Sequence, residues 1–199
     1  DELVIQVDSK LEKLDQVRQG NSNPFVMYPF LARRLPLRRP ELVDRLRRAI
    51  VSDEQDRVGF AVNGLYFWLE ELKTTGETID PALSDLVREV GMGIAARRLA
   101  LLRTGLDLAK WIFRDGPEQM RELIARDCDY GLAALVEEAS YTRFDQPFDV
   151  PAIRAACIRL SSAMLSAGYS QARGATSWIA ESINDPLPEV RHAEERKAD

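Results

Sequence analysis

The stretch Pro81-Ala-Leu-Ser-Asp-Leu-Val-Arg-Glu-Val-Gly-Met-Gly-Ile-Ala-Ala-Arg-Arg-Leu-Ala-Leu-Leu-Arg-Thr-Gly-Leu-Asp-Leu-Ala-Lys-Trp111 decides the fold class. Proline is tolerated in the first turn of a helix, because its missing N–H had no intrahelical partner there. Leu83 and Leu86 then place apolar side chains three residues apart, and Leu99, Leu102, Leu106 and Ala109 repeat the three- and four-residue steps of a second amphipathic helix. Gly91 and Gly93 are expected to mark a bend or break between the two. Trp111 closes the pair.

The same pattern extends along the chain. Pro40, Pro81, Pro117, Pro151 and Pro188 each precede an apolar-periodic run, at spacings of 41, 36, 34 and 37 residues. The first helices are read from Leu42-Val43, Leu83 with Leu86, Met120 with Leu123, Ile153 with Ala156, and Val190 with Ala193. Second helices are read from Val58, Ala61, Leu65 and Leu69, from Leu99 to Ala109, from Leu132, Leu135 and Ala139, and from Ala172, Ala175 and Ile179. Trp68, Trp111, Tyr141 and Trp178 follow their prolines by 28, 30, 24 and 27 residues. A bulky aromatic at one recurring place fills the gap between neighbouring hairpins of an array. No alternation of period two persists, and Asn63-Gly64 lies inside a helical pattern. Gly64, Gly105 and Gly131 each weaken a helix by about 1 kcal/mol relative to Ala, so close helix crossings are expected to compensate.

These readings predict an all-α chain of four helical hairpins, about 40–80, 81–116, 117–150 and 151–187, with a truncated fifth at 188–199. Residues 1–39 are expected to cap the array. Leu3, Val7, Leu11, Leu14 and Val17 make one face of a helix ended by Gly20-Asn21, and a shorter run, Phe25 to Leu31, begins near Asn23-Pro24 and is broken by Pro36. The alternative is an irregular multi-helix bundle.

Two segments carry a family likeness. Pro151-Ala-Ile-Arg-Ala-Ala156 and Pro188-Glu-Val-Arg-His-Ala193 share the pattern P-x-[IV]-R-x-A, and Asp185 stands before the second. With the looser Pro117-Glu-Gln-Met-Arg121, this resembles the first helix of HEAT-like repeats across roughly residues 40–199. The Pro40 and Pro81 units lack the arginine, and the units are shorter than the ~40–47 residues usual for HEAT and armadillo repeats. The Trp-Leu-Gly-Tyr signature of tetratricopeptide repeats is absent. The resemblance implies a right-handed stack of helical hairpins, a HEAT-like α-solenoid, that binds proteins or occasionally nucleic acid along one face.

Composition narrows the function. Hydrophobic residues make up 45% and charged residues 30% of 199, enough to bury a core and too apolar for disorder. No apolar stretch is long enough for a membrane span, and the first residues lack the features of a signal peptide. The chain opens on Asp1 with no initiator methionine, so it is read as a fragment of a larger protein or a chain with its start removed, and a cytoplasmic location is expected. Twenty-two arginines against five lysines hint at a GC-rich bacterial genome. Cys128 and Cys157, inside apolar patterns, read as buried free thiols.

Catalysis is poorly supplied. The one histidine, His192, lies in a polar tail, so a Ser or Cys nucleophile has no histidine base. There is no phosphate-binding GxxxxGK[ST] loop, no zinc spacing and no Glu-x-x-His pair, and Gly91-Met92-Gly93 follows no strand. Asp127 and Asp129, at an expected junction between helices, read as caps or solvated groups. Neither cofactor nor metal is expected. The one charge concentration comprises Arg33, Arg34, Arg38, Arg39, Arg45, Arg47 and Arg48, a local net of +5 over residues 33–48 once Glu41 and Asp44 are counted. Arginine forks suit carboxylates and phosphates. These seven are the candidate partner-binding residues, with pairing to the chain's surplus acids as the plain alternative. Arg97, Arg98 and Arg103 would extend the patch if the first units stack.

A non-catalytic protein-interaction or scaffold module is therefore the leading expectation. A nucleic-acid-binding or HEAT-like DNA-repair module using the arginine cluster is the alternative, disfavoured by the net charge of −5. A sensor region of a bacterial multidomain defence or signalling protein is the third.

Overall fold

Asp80 shows how these helices begin. Its carboxylate accepts the Leu83 N–H at 2.9 Å, satisfying one of the orphan donors of a first turn, and Pro81 follows at the first helical position. The computed structural model describes residues 23–141, 151–185 and 187–193, apart from the side chains of 138–141. The amphipathic run Leu3–Val17, the truncated unit beyond 193 and the Tyr141 ring lie outside the described residues.

The described chain is helical throughout. A 3₁₀ turn, Pro24–Met27, leads into α1 (Tyr28–Arg34), and a second, Pro36–Arg38, leads into α2 (Arg39–Ile50). Then come α3 (Gln55–Thr75), α4 (Pro81–Ala95), α5 (Leu99–Arg114), α6 (Glu118–Tyr141), α7 (Pro151–Ser166), α8 (Arg173–Ser182) and the short α9 (Pro188–Arg191). No strand occurs among the described residues.

Packing alternates along the chain. In one series α4 lies against α2 and α6, and α6 against α8; in the other α5 lies against α3 and α7, and α7 against α9. One continuous core joins the two series, with Leu46, Leu65, Leu83, Leu102, Ile124 and Ile158 fully buried. The first 3₁₀ turn and α1 pack on α3 and cover that end of the core.

Three local expectations are corrected. Gly91 and Gly93 do not break a helix: α4 runs through both, and the turn falls at Ala96–Arg98, where Arg97 adopts a left-handed φ of 54°. Residues 117–141 do not hold two helices. Met120, Ile124, Cys128, Leu132 and Leu135 form one buried stripe at steps of four and three, and no proline or glycine interrupts 118–130, so α6 continues for 24 residues. Asp127 and Asp129 are consequently in mid-helix rather than at a junction. The unbroken α6 also shifts the phase of the prolines. Pro40, Pro81 and Pro117 introduce helices of the first series, whereas Pro151 and Pro188 introduce helices of the second.

Close crossings do accompany the helical glycines. A methyl group on Gly131 of α6 would stand 2.7 Å from the Ile94 carbonyl oxygen of α4, and one on Gly64 would collide with Phe25. Trp68 and Trp178 are buried as gap-fillers, and the Trp178 indole donates to the Leu132 carbonyl at 2.9 Å.

Candidate interaction groove

The seven candidate arginines come together on α1, the second 3₁₀ turn and α2, and most of them meet acids. Arg33 pairs with Glu71 of α3. Arg38 and Arg45 both hold Glu41, at 2.6 and 3.0 Å, and Arg48 holds Asp44 at 2.8 Å. Arg39 bonds Asp80 at 2.5 Å, with its guanidinium 5.5 Å over the Trp68 ring. The hydrogen bond from Arg38 holds the Glu41 carboxyl below its ordinary pKa; burial opposes this, and Arg45 adds to it. Arg34 lies 5.4 Å over Phe30, and Arg47 is exposed. The cluster is thus largely neutralised. Arg98 does not extend it, because its guanidinium donates to the Ile50 and Ser52 carbonyls at the end of α2, at 3.3 and 2.9 Å. Arg103 faces a different feature.

That feature is an open groove of about 760 Å³ between α3 and α5. Phe60 and Tyr66 of α3 line it together with Trp111 of α5, and Asp56 of α3 and Arg103, Asp107 and Lys110 of α5 supply charge. Helix α3 directs Val58, Ala61, Leu65 and Leu69 into the core, which leaves Phe60 and Tyr66 on its flank. Tyr66 and Trp111 meet edge to face, with centroids 5.2 Å apart and planes at 87°. Lys73 lies 6.0 Å over the Trp111 ring. Burial, reinforced by the Glu70 carboxylate that accepts its hydrogen bond, raises the Tyr66 phenol pKa above its ordinary value. Phe60 is 39% exposed, and its carbonyl accepts the Asn23 side-chain amide at 2.8 Å.

The remaining candidate residues have structural duties. Asp129 accepts the Arg173, Gly174 and Ala175 backbone N–H groups, capping α8 from the side of α6. Glu71 is the Arg33 partner. Cys128 and Cys157 are free, fully buried thiols, and desolvation pushes both far above the ordinary thiol range. His192 is exposed. Among the described residues, no group of three or more His, Cys, Asp or Glu side chains is placed to hold a metal, and no helix is long and apolar enough to cross a membrane.

No family model, curated protein or solved structure matches this chain.

Trp111, read from the sequence as a gap-filler, does pack against the core and also lines the groove, whereas Phe60, Tyr66 and Lys110 are not singled out by the sequence reading. A signal existed: Phe60 and Phe67 stand one heptad apart, off the apolar face that Val58, Ala61, Leu65 and Leu69 define.

Proposed function

We propose that this chain is a non-catalytic protein-interaction module that presents the α3–α5 groove to a segment of a partner protein. The observation that carries this reading is the half-buried Tyr66–Trp111 pair in the groove wall, with Phe60 exposed beside it. Rigid aromatics at the centre of a concavity lose little conformational entropy on contact and bury much apolar area. Charged residues lining the same groove, Asp56 of α3 and Arg103, Asp107 and Lys110 of α5, supply orientation.

The architecture proposed is a HEAT-like stack of helical hairpins serving as a scaffold in a bacterial cytoplasm. Two observations support it. Neighbours alternate along two series of helices, as they would in an array of stacked pairs. The two copies of P-x-[IV]-R-x-A are also tied to each other. Arg154 of the first bonds Asp185, just ahead of the second, at 2.8 Å, and Arg191 of the second donates to the Asp185 carbonyl at 2.6 Å.

The nucleic-acid reading is less favoured, because five of the seven clustered arginines already face carboxylates. Photo-crosslinking from position 60 in the full chain tests the groove. A discrete protein adduct that disappears in a folded Trp111→Ala variant is expected. An adduct pattern unchanged by that substitution, or a shift of duplex DNA at low salt in its place, would overturn the proposal.

A further inference from the structure

A second concavity, of about 400 Å³, lies between α5 and α7 and is bounded by Ala193 beyond α9. Four cations line it, Lys110, Arg114, Arg121 and Arg159, together with the hydroxyls of Ser162 and Ser166. No carboxylate is among its lining residues, although the chain as a whole carries a net charge of −5. Like charges gathered around one cleft repel each other, and the acids that offset them, Asp107 and Asp115, stand outside its lining at 3.6–4.0 Å.

These cations differ from the seven arginines of α1 and α2. There, acids and guanidinium groups meet within 3.0 Å. Here Asp107 stands 4.0 Å from both the Lys110 Nζ and the Arg159 Nη2, beyond hydrogen-bonding distance, and Asp115 is 3.6 Å from the Arg114 Nε. Arg121 donates to the Ile112 and Gly116 carbonyls at 3.2 and 3.0 Å, which fixes its plane at the end of α5. Cations at a helix C-terminus complement its carbonyls, and that role accounts for Arg114 and Arg121. It does not account for Lys110, one turn inside α5, or for Arg159 in the middle of α7.

We propose that this cleft is a binding site for a phosphate group. A phosphate monoester brings nearly two negative charges and three acceptor oxygens, which a lone carboxylate does not. Guanidinium forks match its geometry, and the ammonium and serine hydroxyls supply further donors. The cleft's volume is within the range of small-ligand sites. A free small-molecule phosphate and a phosphorylated side chain of a partner share this chemistry.

Calorimetric titration of the full chain at low salt separates these sources, with inorganic pyrophosphate in one arm and a phosphoserine peptide in the other. Saturable one-to-one binding is expected in at least one arm, and the tighter arm identifies the source. Charge-assisted contacts contribute about tenfold each, so Lys110→Gln with Arg159→Gln is expected to weaken binding about a hundredfold. An Arg33→Gln with Arg48→Gln control, equal in charge, leaves it within about twofold, since a non-specific field would respond alike to both. The Lys110 and Arg159 substitutions break no contact shorter than 4.0 Å, so the fold is retained; if the double variant nevertheless fails to fold, Arg159→Gln alone, expected to weaken binding about tenfold, is compared with Arg48→Gln. Absence of saturable binding in both arms, binding that the double variant retains, or acetate competing as well as phosphate at equal ionic strength overturns the proposal. Lys110 and Arg114 line both concavities, so the two tests are kept apart by Arg159→Gln, which lies outside the α3–α5 groove, and by Trp111→Ala, which lies outside the cleft and leaves phosphate binding unchanged.

Discussion

Arg154 and Asp185 form the most enclosed ion pair among the described residues, with side chains 11% and 10% exposed. Two guanidinium nitrogens reach the carboxylate, at 2.8 and 3.5 Å, and the Leu187 N–H adds a third donor at 2.9 Å. Removing one member leaves the other charged and poorly solvated, so Arg154→Ala is expected to cost about 3 kcal/mol in denaturant titrations. A change under about 0.5 kcal/mol would mean that water already screens the pair. The cysteines make a separate point. Cys128 and Cys157 are fully buried, and desolvation raises both thiol pKa values, so native protein is expected to be inert to a thiol reagent that labels both after unfolding. A raised folded pKa favours the native state fully below the unfolded thiol value. Stability is therefore expected to fall as pH climbs past about 9, where the unfolded chain sheds protons that the fold retains. A Cys128→Ser and Cys157→Ser variant, compared by melting across that range, is expected to lose this alkaline decline.

Helix α6 shows how one element sets the register of its neighbours. Its buried stripe faces α4 on one side, and its other flank receives α8, whose first turn Asp129 caps. Gly131 permits the approach to α4, because any Cβ there would stand within 3 Å of the Ile94 carbonyl. Gly131→Ala would gain about 1 kcal/mol in helix propensity, but overpacking against rigid backbone costs about 1–3 kcal/mol. A net loss of stability is expected in urea unfolding, and a net gain would show that α4 can move away. The continuity of α6 was legible from Ile124 and Cys128, which bridge the two runs that look like separate helices. The proline rhythm masked it, since Pro117 and Pro151 are spaced as if a hairpin lay between them.

At the scale of the molecule, the two series of helices share one core, and no polar layer divides it among the described residues. Unfolding is expected to be a single transition, with far-ultraviolet circular dichroism and tryptophan fluorescence coincident in denaturant. Trp68 and Trp178 report opposite ends of the chain, so separated transitions would instead reveal units that melt independently. Surface charge belongs to this scale as well. The cluster from Arg33 to Arg48 looks basic when read along the chain, yet Glu71 and Asp80, from α3 and the loop after it, bring opposite charge to it. The cations of the α5–α7 cleft come from Lys110 to Arg159, too far apart in sequence to register as a cluster.

Apolar periodicity and the placing of prolines determined that this chain is all-α, where most of its helices begin, and which side chains enter the core. Those are local properties: a 3.6-residue repeat and a proline in a first turn act within a few residues. The tertiary structure decided which helices are neighbours, which charges are cancelled and where concavities remain. Pairings such as Arg39 with Asp80, or Tyr66 with Trp111, join residues about 40 positions apart, and only the packing of α2 against α4 and of α3 against α5 brings them within reach.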